Sequence, residues 1–153
     1  MKAPDFTLPA SNGENVTLSQ FRGKYIVLYF YPKDMTPGCT TEACEFRDQY
    51  EVFTELGAVV IGISPDSIER HKKFIEKHRL PFLLLADEKQ DVAKLYNVWK
   101  LKKNFGKEYM GIERSTFLID PDGQIIKEWR KVKVNGHVEE VLNALKQAIS
   151  SNK

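Results

Sequence analysis

Cysteine is scarce in this chain: only Cys39 and Cys44 occur in 153 residues, and histidine and tryptophan number three and two. So few cysteines exclude a disulfide scaffold. With no histidine at ligand spacing beside them, they also fall short of a structural zinc set. No apolar run approaches the roughly 20 residues of a membrane span. The opening Met1-Lys2-Ala3-Pro4-Asp5-Phe6 lacks the apolar stretch of a secretory signal. Charge of one sign is missing too: 23 Lys and Arg against 21 Asp and Glu leave a net +2. The lysines are spread along the chain, and the densest group is the short set Lys100, Lys102 and Lys103. A nucleic-acid or membrane-surface partner would need a clustered basic face. Internal repeats, linkers and low-complexity segments are absent. The expectation is one cytoplasmic domain spanning residues 1–153, whose cysteines are free, catalytic or redox-active rather than a permanent staple.

What is present suits a folded protein. Hydrophobic residues make up 42% and charged residues 29%, and a chain of this length buries roughly 68–70% of its unfolded surface. Loose alternation over residues 3–18, with a turn at Ser11-Asn12-Gly13, predicts a short hairpin or extended arm. Residues 25–31 form a continuous run of β-branched, aromatic and aliphatic side chains, as in a central strand buried on both faces. Thr36 as N-cap and Pro37 at the first helical position start a helix that Gly57 stops, with Ala43, Phe46, Tyr50 and Phe53 on its apolar face.

A second buried strand follows at 58–63, then a helix from Ser67 to about Arg79 with Ile68, Phe74 and Ile75 inward. A third strand lies at 82–85, and Asp87 caps a short helix carrying Val92, Leu95 and Tyr96. Residues 97–110 read as a basic loop anchored by Trp99, Phe105 and Tyr109. Strands at 114–119 and 124–131 flank the turn Asp120-Pro121-Asp122-Gly123 and form an antiparallel hairpin. Asn135 caps a last helix with Val138, Val141, Leu142, Leu145 and Ile149 on its face, and a tail from Ser150 frays. His71, His78 and His137 read as solvated helix residues, and Trp99 and Trp129 as packing. Strands alternating with helices require parallel pairing and right-handed crossovers. The fold class is α/β: a thioredoxin-like three-layer α/β/α sandwich with an N-terminal extension and a mixed, mostly parallel sheet closed by a β-hairpin.

Both cysteines lie just after the first central strand, where open α/β sheets place their sites. Cys39 falls in the first turn of the predicted helix. An ordinary thiol is only about 3% thiolate at pH 7, and about 90% thiolate would require roughly 3.4 kcal/mol of stabilisation. A helix N-terminus supplies up to about 2 kcal/mol, so a cation and direct hydrogen bonds are needed as well. Thr36 and the backbone N–H groups of Gly38 and Cys39 offer the hydrogen bonds. Lys33, Arg47 and Arg114 are the candidate cations, and spacing does not choose among them. In an intact helix Cys39 and Cys44 would stand about 140° apart around the axis and about 7.5 Å apart along it. That exceeds the roughly 7 Å reach of a disulfide, so a bond between them requires the first helical turns to unwind.

Pro32-Lys33-Asp34-Met35-Thr36-Pro37-Gly38-Cys39 has the pattern Pro-x-x-x-Thr-x-x-Cys and resembles the active-site loop of peroxiredoxins. With Cys44 following, it is similar to the bacterioferritin-comigratory-protein (peroxiredoxin Q) branch. Ala3-Pro4-Asp5-Phe6, Gly62-Ile63-Ser64 and Arg114-Ser115-Thr116-Phe117-Leu118-Ile119-Asp120 agree in order. The resemblance covers nearly the whole chain. It implies a thiol peroxidase that reduces hydrogen peroxide and organic hydroperoxides without metal or organic cofactor. It makes Cys39 the peroxidatic cysteine, Thr36 a contact to peroxide and thiolate, and Arg114 the stabilising cation. Pro32 becomes a shield of the site and Glu42 a support for the arginine. Cys44 becomes the resolving cysteine of an intramolecular Cys39–Cys44 disulfide, an atypical two-cysteine cycle. A thioredoxin-type reductant and a monomer are the implied partner and state. The rival reading is a thiol–disulfide oxidoreductase of the same fold, whose motif is ordinarily Cys-x-x-Cys where this chain has four residues between its cysteines.

Overall fold

A computed structural model describes residues 1–151. The N-terminal arm is a small antiparallel pair, β1 (Thr7–Pro9) and β2 (Asn15–Thr17), followed by a 3-10 turn at Leu18–Phe21. Then come β3 (Tyr25–Phe30), α1 (Pro37–Asp48), α2 (Tyr50–Glu55), β4 (Ala58–Ser64), α3 (Ile68–His78), β5 (Leu83–Ala86) and α4 (Asp91–Leu95). They are followed by β6 (Trp99–Asn104), β7 (Lys107–Ile112), β8 (Ser115–Ile119), β9 (Ile125–Trp129) and α5 (His137–Ser151). The last helix runs on through Ser150 and Ser151, and the rest of the expected fraying tail, Asn152 and Lys153, lies outside the described residues.

The central sheet has the order β5-β4-β3-β8-β9. It is mixed as expected, but parallel pairs are no majority: β3–β4 and β4–β5 are parallel, β3–β8 and β8–β9 antiparallel. The middle strand β3 is buried at every position, as its unbroken apolar run requires. Its alternate residues feed two cores. Tyr25, Val27 and Tyr29 pack with Phe46 of α1, Phe53 of α2, Phe74 of α3 and Val141 and Leu145 of α5. Ile26, Leu28 and Phe30 pack on the other face with Val92 and Ala93 of α4 and with Ala3, Val16 and Leu18 of the N-terminal arm. The helical layers thus sandwich the sheet, and the arm completes the thinner one.

Gly62 of β4 shows how tightly the first core closes. A Cβ there would stand 2.8 Å from Leu84 and 2.9 Å from the Tyr29 ring. Both are inside contact distance and both neighbours are fully buried. Gly62→Ala is therefore expected to lose about 1–3 kcal/mol by overpacking, read as a lower midpoint in chemical denaturation. An unchanged midpoint would show that the ring can move aside.

Several local expectations are corrected. The helix predicted to run to Gly57 is two helices, broken at Gln49 (φ −102°, ψ 3°). Residues 97–110 are largely an antiparallel hairpin, turned at Phe105 and Gly106 with φ of 52° and 77°. Two successive positive φ values mark the turn type whose twist matches the flanking strands. Phe105 is 97% exposed and so anchors nothing. Leu95 is exposed, and His71 joins Phe74 as a buried residue of α3, where Ile75 packs partly buried against the core as expected and Ile68 is only half-buried. The first turn of α5 closes on Gly136, whose carbonyl accepts from Glu140 N–H, rather than on Asn135. Asp87 does cap α4: its carboxylate accepts from the N–H groups of Val92 and Ala93.

Candidate active site

Register explains why distant residues meet at the end of β3. Antiparallel pairing sets Ser115 opposite Phe30, so the residue before β8, Arg114, lands beside the carboxyl end of β3. Parallel pairing sets Ile63 opposite Phe30 and brings the loop after β4 to the same edge. The chain leaving β3 crosses this edge as residues 31–36 and enters α1 at Pro37. Cys39 is the third helical residue and only 2% exposed, whereas Cys44, one and a half turns on, is partly exposed. Both are free thiols on an intact α1.

Of the three candidate cations, the structure brings Arg114 to hydrogen-bond distance of the thiol. Arg114 Nη2 lies 3.2 Å from Cys39 Sγ, and its Nη1 donates to Glu42 Oε1 at 2.6 Å. Arg47 instead donates to the carbonyl of His78 and pairs with Asp48, while Lys33 is exposed. Gly38 permits the approach: a Cβ on it would stand 3.2 Å from Arg114 Nη2. The guanidinium therefore lies against the first turn of α1, bridging a carboxylate and a sulfur with its planar fork.

Thr36 occupies the N-cap position with extended backbone (φ −89°, ψ 153°), but its hydroxyl makes no cap hydrogen bond. It turns back and donates to the carbonyl of Lys33 at 2.8 Å. The first-turn N–H groups, which have no intrahelical acceptor, are left without a side-chain cap beside Cys39. The hydroxyl's own hydrogen is committed, which leaves its oxygen free to act as an acceptor. Pro32 and Arg114 line one depression of about 430 Å³ together with Lys100, Leu101, Lys102 and Val132.

Glu42 is fully buried, and its Oε2 has no partner among the described residues. Burial pushes its carboxyl up to about 7, with the Arg114 charge opposing the rise. The stability sign follows. An ordinary carboxyl loses its proton near 4.5 in the unfolded chain, so between there and about 7 the folded state holds a proton that the unfolded state has lost. Stability from this group is present below that window and declines as pH rises through it. Glu42→Gln has no such term, so its midpoint relative to the parent should improve as pH goes from 5 to 8. Thermal melts of both proteins across that range check this, and a constant difference would contradict it.

Two histidines expected in solvent are buried. His137 Nε2 lies 2.8 Å from Thr116 Oγ1, and its ring meets Trp129 edge-on. Burial, with the Arg114 charge adding to it, pulls His137 down to about 4 and so keeps it neutral near pH 7. His71 is fully buried and meets Asp34 of the loop 31–36. Sequence reading missed this pair, although Asp34 sits inside the motif and His71 lies three residues from Phe74 on the inner face of α3. It also missed Lys102, whose ammonium is pulled down by burial and by Arg114 while Cys39 opposes the shift.

Residues 1–128 match the AhpC/TSA family. Peroxiredoxin Bcp of Bacillus subtilis is 70% identical over 145 residues, covering 95% of this chain and 92% of that protein. Among solved structures, Xanthomonas campestris peroxiredoxin Q superposes with a TM-score of 0.89 at 44% identity, covering 93% of this chain and 90% of that one. The bacterioferritin comigratory protein of the same organism, studied as trapped intermediate/ligand complexes for its alkyl peroxide reduction activity, gives 0.89 at 43% identity over 94% and 91%.

Proposed function

The chain belongs to the AhpC/TSA family, and we propose that it reduces hydrogen peroxide and organic hydroperoxides with Cys39 as the attacking sulfur and Cys44 as the thiol that resolves the product. The chemistry of its peroxiredoxin relatives is that of a thiol peroxidase. The observation that carries the residue assignment is the 3.2 Å contact between Arg114 Nη2 and the sulfur of Cys39 in the first turn of α1.

In the proposed cycle the Cys39 thiolate, held by Arg114 and the open N–H groups of the helix start, attacks the terminal oxygen of the hydroperoxide. An S–O bond forms, the O–O bond breaks, and the departing alkoxide or hydroxide takes a proton to leave as alcohol or water. Charge grows on the leaving oxygen, where the fixed guanidinium stabilises it without reorganisation. Thr36 Oγ1, its hydrogen held by Lys33, accepts the proton side of the peroxide. Glu42 keeps the guanidinium in place and Pro32 shields the sulfur from bulk water.

The product is a Cys39 sulfenic acid, which condenses with the Cys44 thiol to a disulfide and releases water. A dithiol of thioredoxin type then restores both thiols and is itself oxidised to a disulfide. The reading extends to a cytoplasmic monomer. Among the described residues no helix is long and apolar enough to cross a membrane.

The disulfide cannot form on the helix as it stands, since a five-residue step leaves the two sulfurs on different faces. One equivalent of peroxide should therefore yield an intramolecular Cys39–Cys44 bond by mass spectrometry, with hydrogen exchange accelerated across residues 37–44. Cys44→Ser should stop at the sulfenic acid or a mixed disulfide. Bonding between two chains, or equal exchange in both redox states, would overturn the resolving step while leaving the peroxidase intact. Disulfide reduction with no peroxide consumed would favour a thiol–disulfide oxidoreductase instead.

A further inference from the structure

A second polar cluster lies under the loop 31–36, away from the sulfur. Asp34 and His71 are fully buried. One Asp34 carboxylate oxygen accepts from Tyr31 OH, and the other lies 2.6 Å from His71 Nδ1. His71 Nε2 lies 2.9 Å from the carbonyl of Leu85. A carbonyl only accepts, so Nε2 carries a hydrogen, and the short Nδ1–Oδ2 contact holds one more. The pair therefore has no net charge, whichever atom owns that proton.

The backbone of Asp34 is tied down as firmly. Its N–H donates to Asp66 Oδ2 at 2.7 Å, and its carbonyl accepts from Arg70 Nη2 at 3.1 Å. Ser64 Oγ and Arg70 Nε complete the coordination of Asp66. Ligand atoms of Asp34, Asp66 and His71 lie within 4.8 Å of one another. Their oxygens are already taken by hydrogen-bond donors, so the cluster holds together without an ion. The N–H, the carbonyl and one carboxylate oxygen of Asp34 are engaged with α3 or the segment just before it, and the other carboxylate oxygen with Tyr31 at the start of the loop. The loop atoms on either side of it build the site: Lys33 supplies the carbonyl that holds Thr36 Oγ1. Met35 between them has a left-handed backbone, φ 64°, a strained state for a non-glycine residue.

We propose that the Asp34–His71 pair is a positioning device for the peroxidase site, clamping residues 33–36 so that the Thr36 oxygen stands where the peroxide binds. It rests on the reading of Cys39 as the peroxide-attacking sulfur. Arg114 holds the sulfur from the β8 side, and the Asp34–His71 pair holds the acceptor from the α3 side. A misplacement of about 1 Å in such an arrangement can cost roughly 100-fold in rate.

The test separates peroxide positioning from thiol reactivity, in a Cys44→Ser background with Cys39 as the only thiol. Second-order rates are measured for hydrogen peroxide by stopped flow and for alkylation by iodoacetamide, which does not use Thr36. Asp34→Ala should lower the peroxide rate about 10- to 100-fold and the alkylation rate by less than about 3-fold. Asp34→Asn should bring the peroxide rate back to within about 3-fold of the parent. Its amide oxygen can accept from Tyr31, its N–H can donate to His71 Nδ1, and the pair stays neutral. If Asp34→Ala does not fold, His71→Gln takes its place and should show the same selective loss. A parent-like peroxide rate in the disrupting variant would overturn the proposal, as would equal loss in both reactions. A parent that reacts with iodoacetamide but not with peroxide would instead refute the peroxidase reading of Cys39.

Discussion

Cys39→Ser should abolish peroxide consumption, with a loss of at least about 1,000-fold in the second-order rate. A serine hydroxyl stays protonated near neutral pH, and the side-chain partner described at that position is the Arg114 guanidinium, which is no base. The Arg114 guanidinium and the helix start would still be in place, but with no nucleophile to hold. The exchange is nearly isosteric, so the fold should survive. The measurement is peroxide loss by a colorimetric assay, with the melting temperature of the same preparation as control. Because Cys44 remains, residual turnover also has a clear meaning. Activity within about tenfold of the parent would make Cys44 the attacking thiol and overturn the assignment of roles.

The second large effect is expected at Arg114. Removing one preorganised donor to developing charge costs roughly 100- to 1,000-fold, and Arg114→Ala should fall in that range for peroxide reduction. It also strips Glu42 of its described partner at a fully buried position. Breaking a buried pair leaves an uncompensated charge, so the variant should lose stability as well, more at pH 8 than at pH 5, because Glu42 carries its charge at the higher pH. Arg114→Lys separates the two jobs. A single ammonium cannot bridge Glu42 Oε1 and Cys39 Sγ as the fork does, so it should recover stability more fully than rate. Stopped-flow rates and melts at both pH values decide the matter. A rate within about threefold of the parent in Arg114→Ala would show that the helix start alone holds the sulfur.

These residues also mark how far the sequence could be read. The unbroken apolar run of β3 announced a central strand, and Thr36-Pro37 placed the start of α1 to the residue. The three candidate cations could not be separated by spacing, because the deciding fact is a register: Ser115 opposite Phe30 carries Arg114 to the thiol. Only the likeness to peroxiredoxins pointed to Arg114 in advance. The hairpin of β6 and β7 stayed hidden because it buries so little. Lysines line it and Phe105 stands in solvent, so no apolar alternation betrays two strands. The Asp34–His71 contact joins residues 37 apart in the chain. Composition and periodicity treat both as surface residues, and only the tertiary fold shows that each satisfies the other.

Gly38 carries a consequence beyond letting a guanidinium approach. The seat of Arg114 exists only while the first turn of α1 is wound, yet the proposed disulfide exists only while it is not. The two halves of the proposed cycle would thus draw in opposite directions on one local equilibrium. A substitution that strengthens the start of α1 would speed oxidation and slow resolution, lengthening the life of the sulfenic acid and its exposure to a second peroxide. One that weakens it would do the reverse. In the proposed cycle the winding free energy of a single helical turn would set the balance between throughput and self-inactivation.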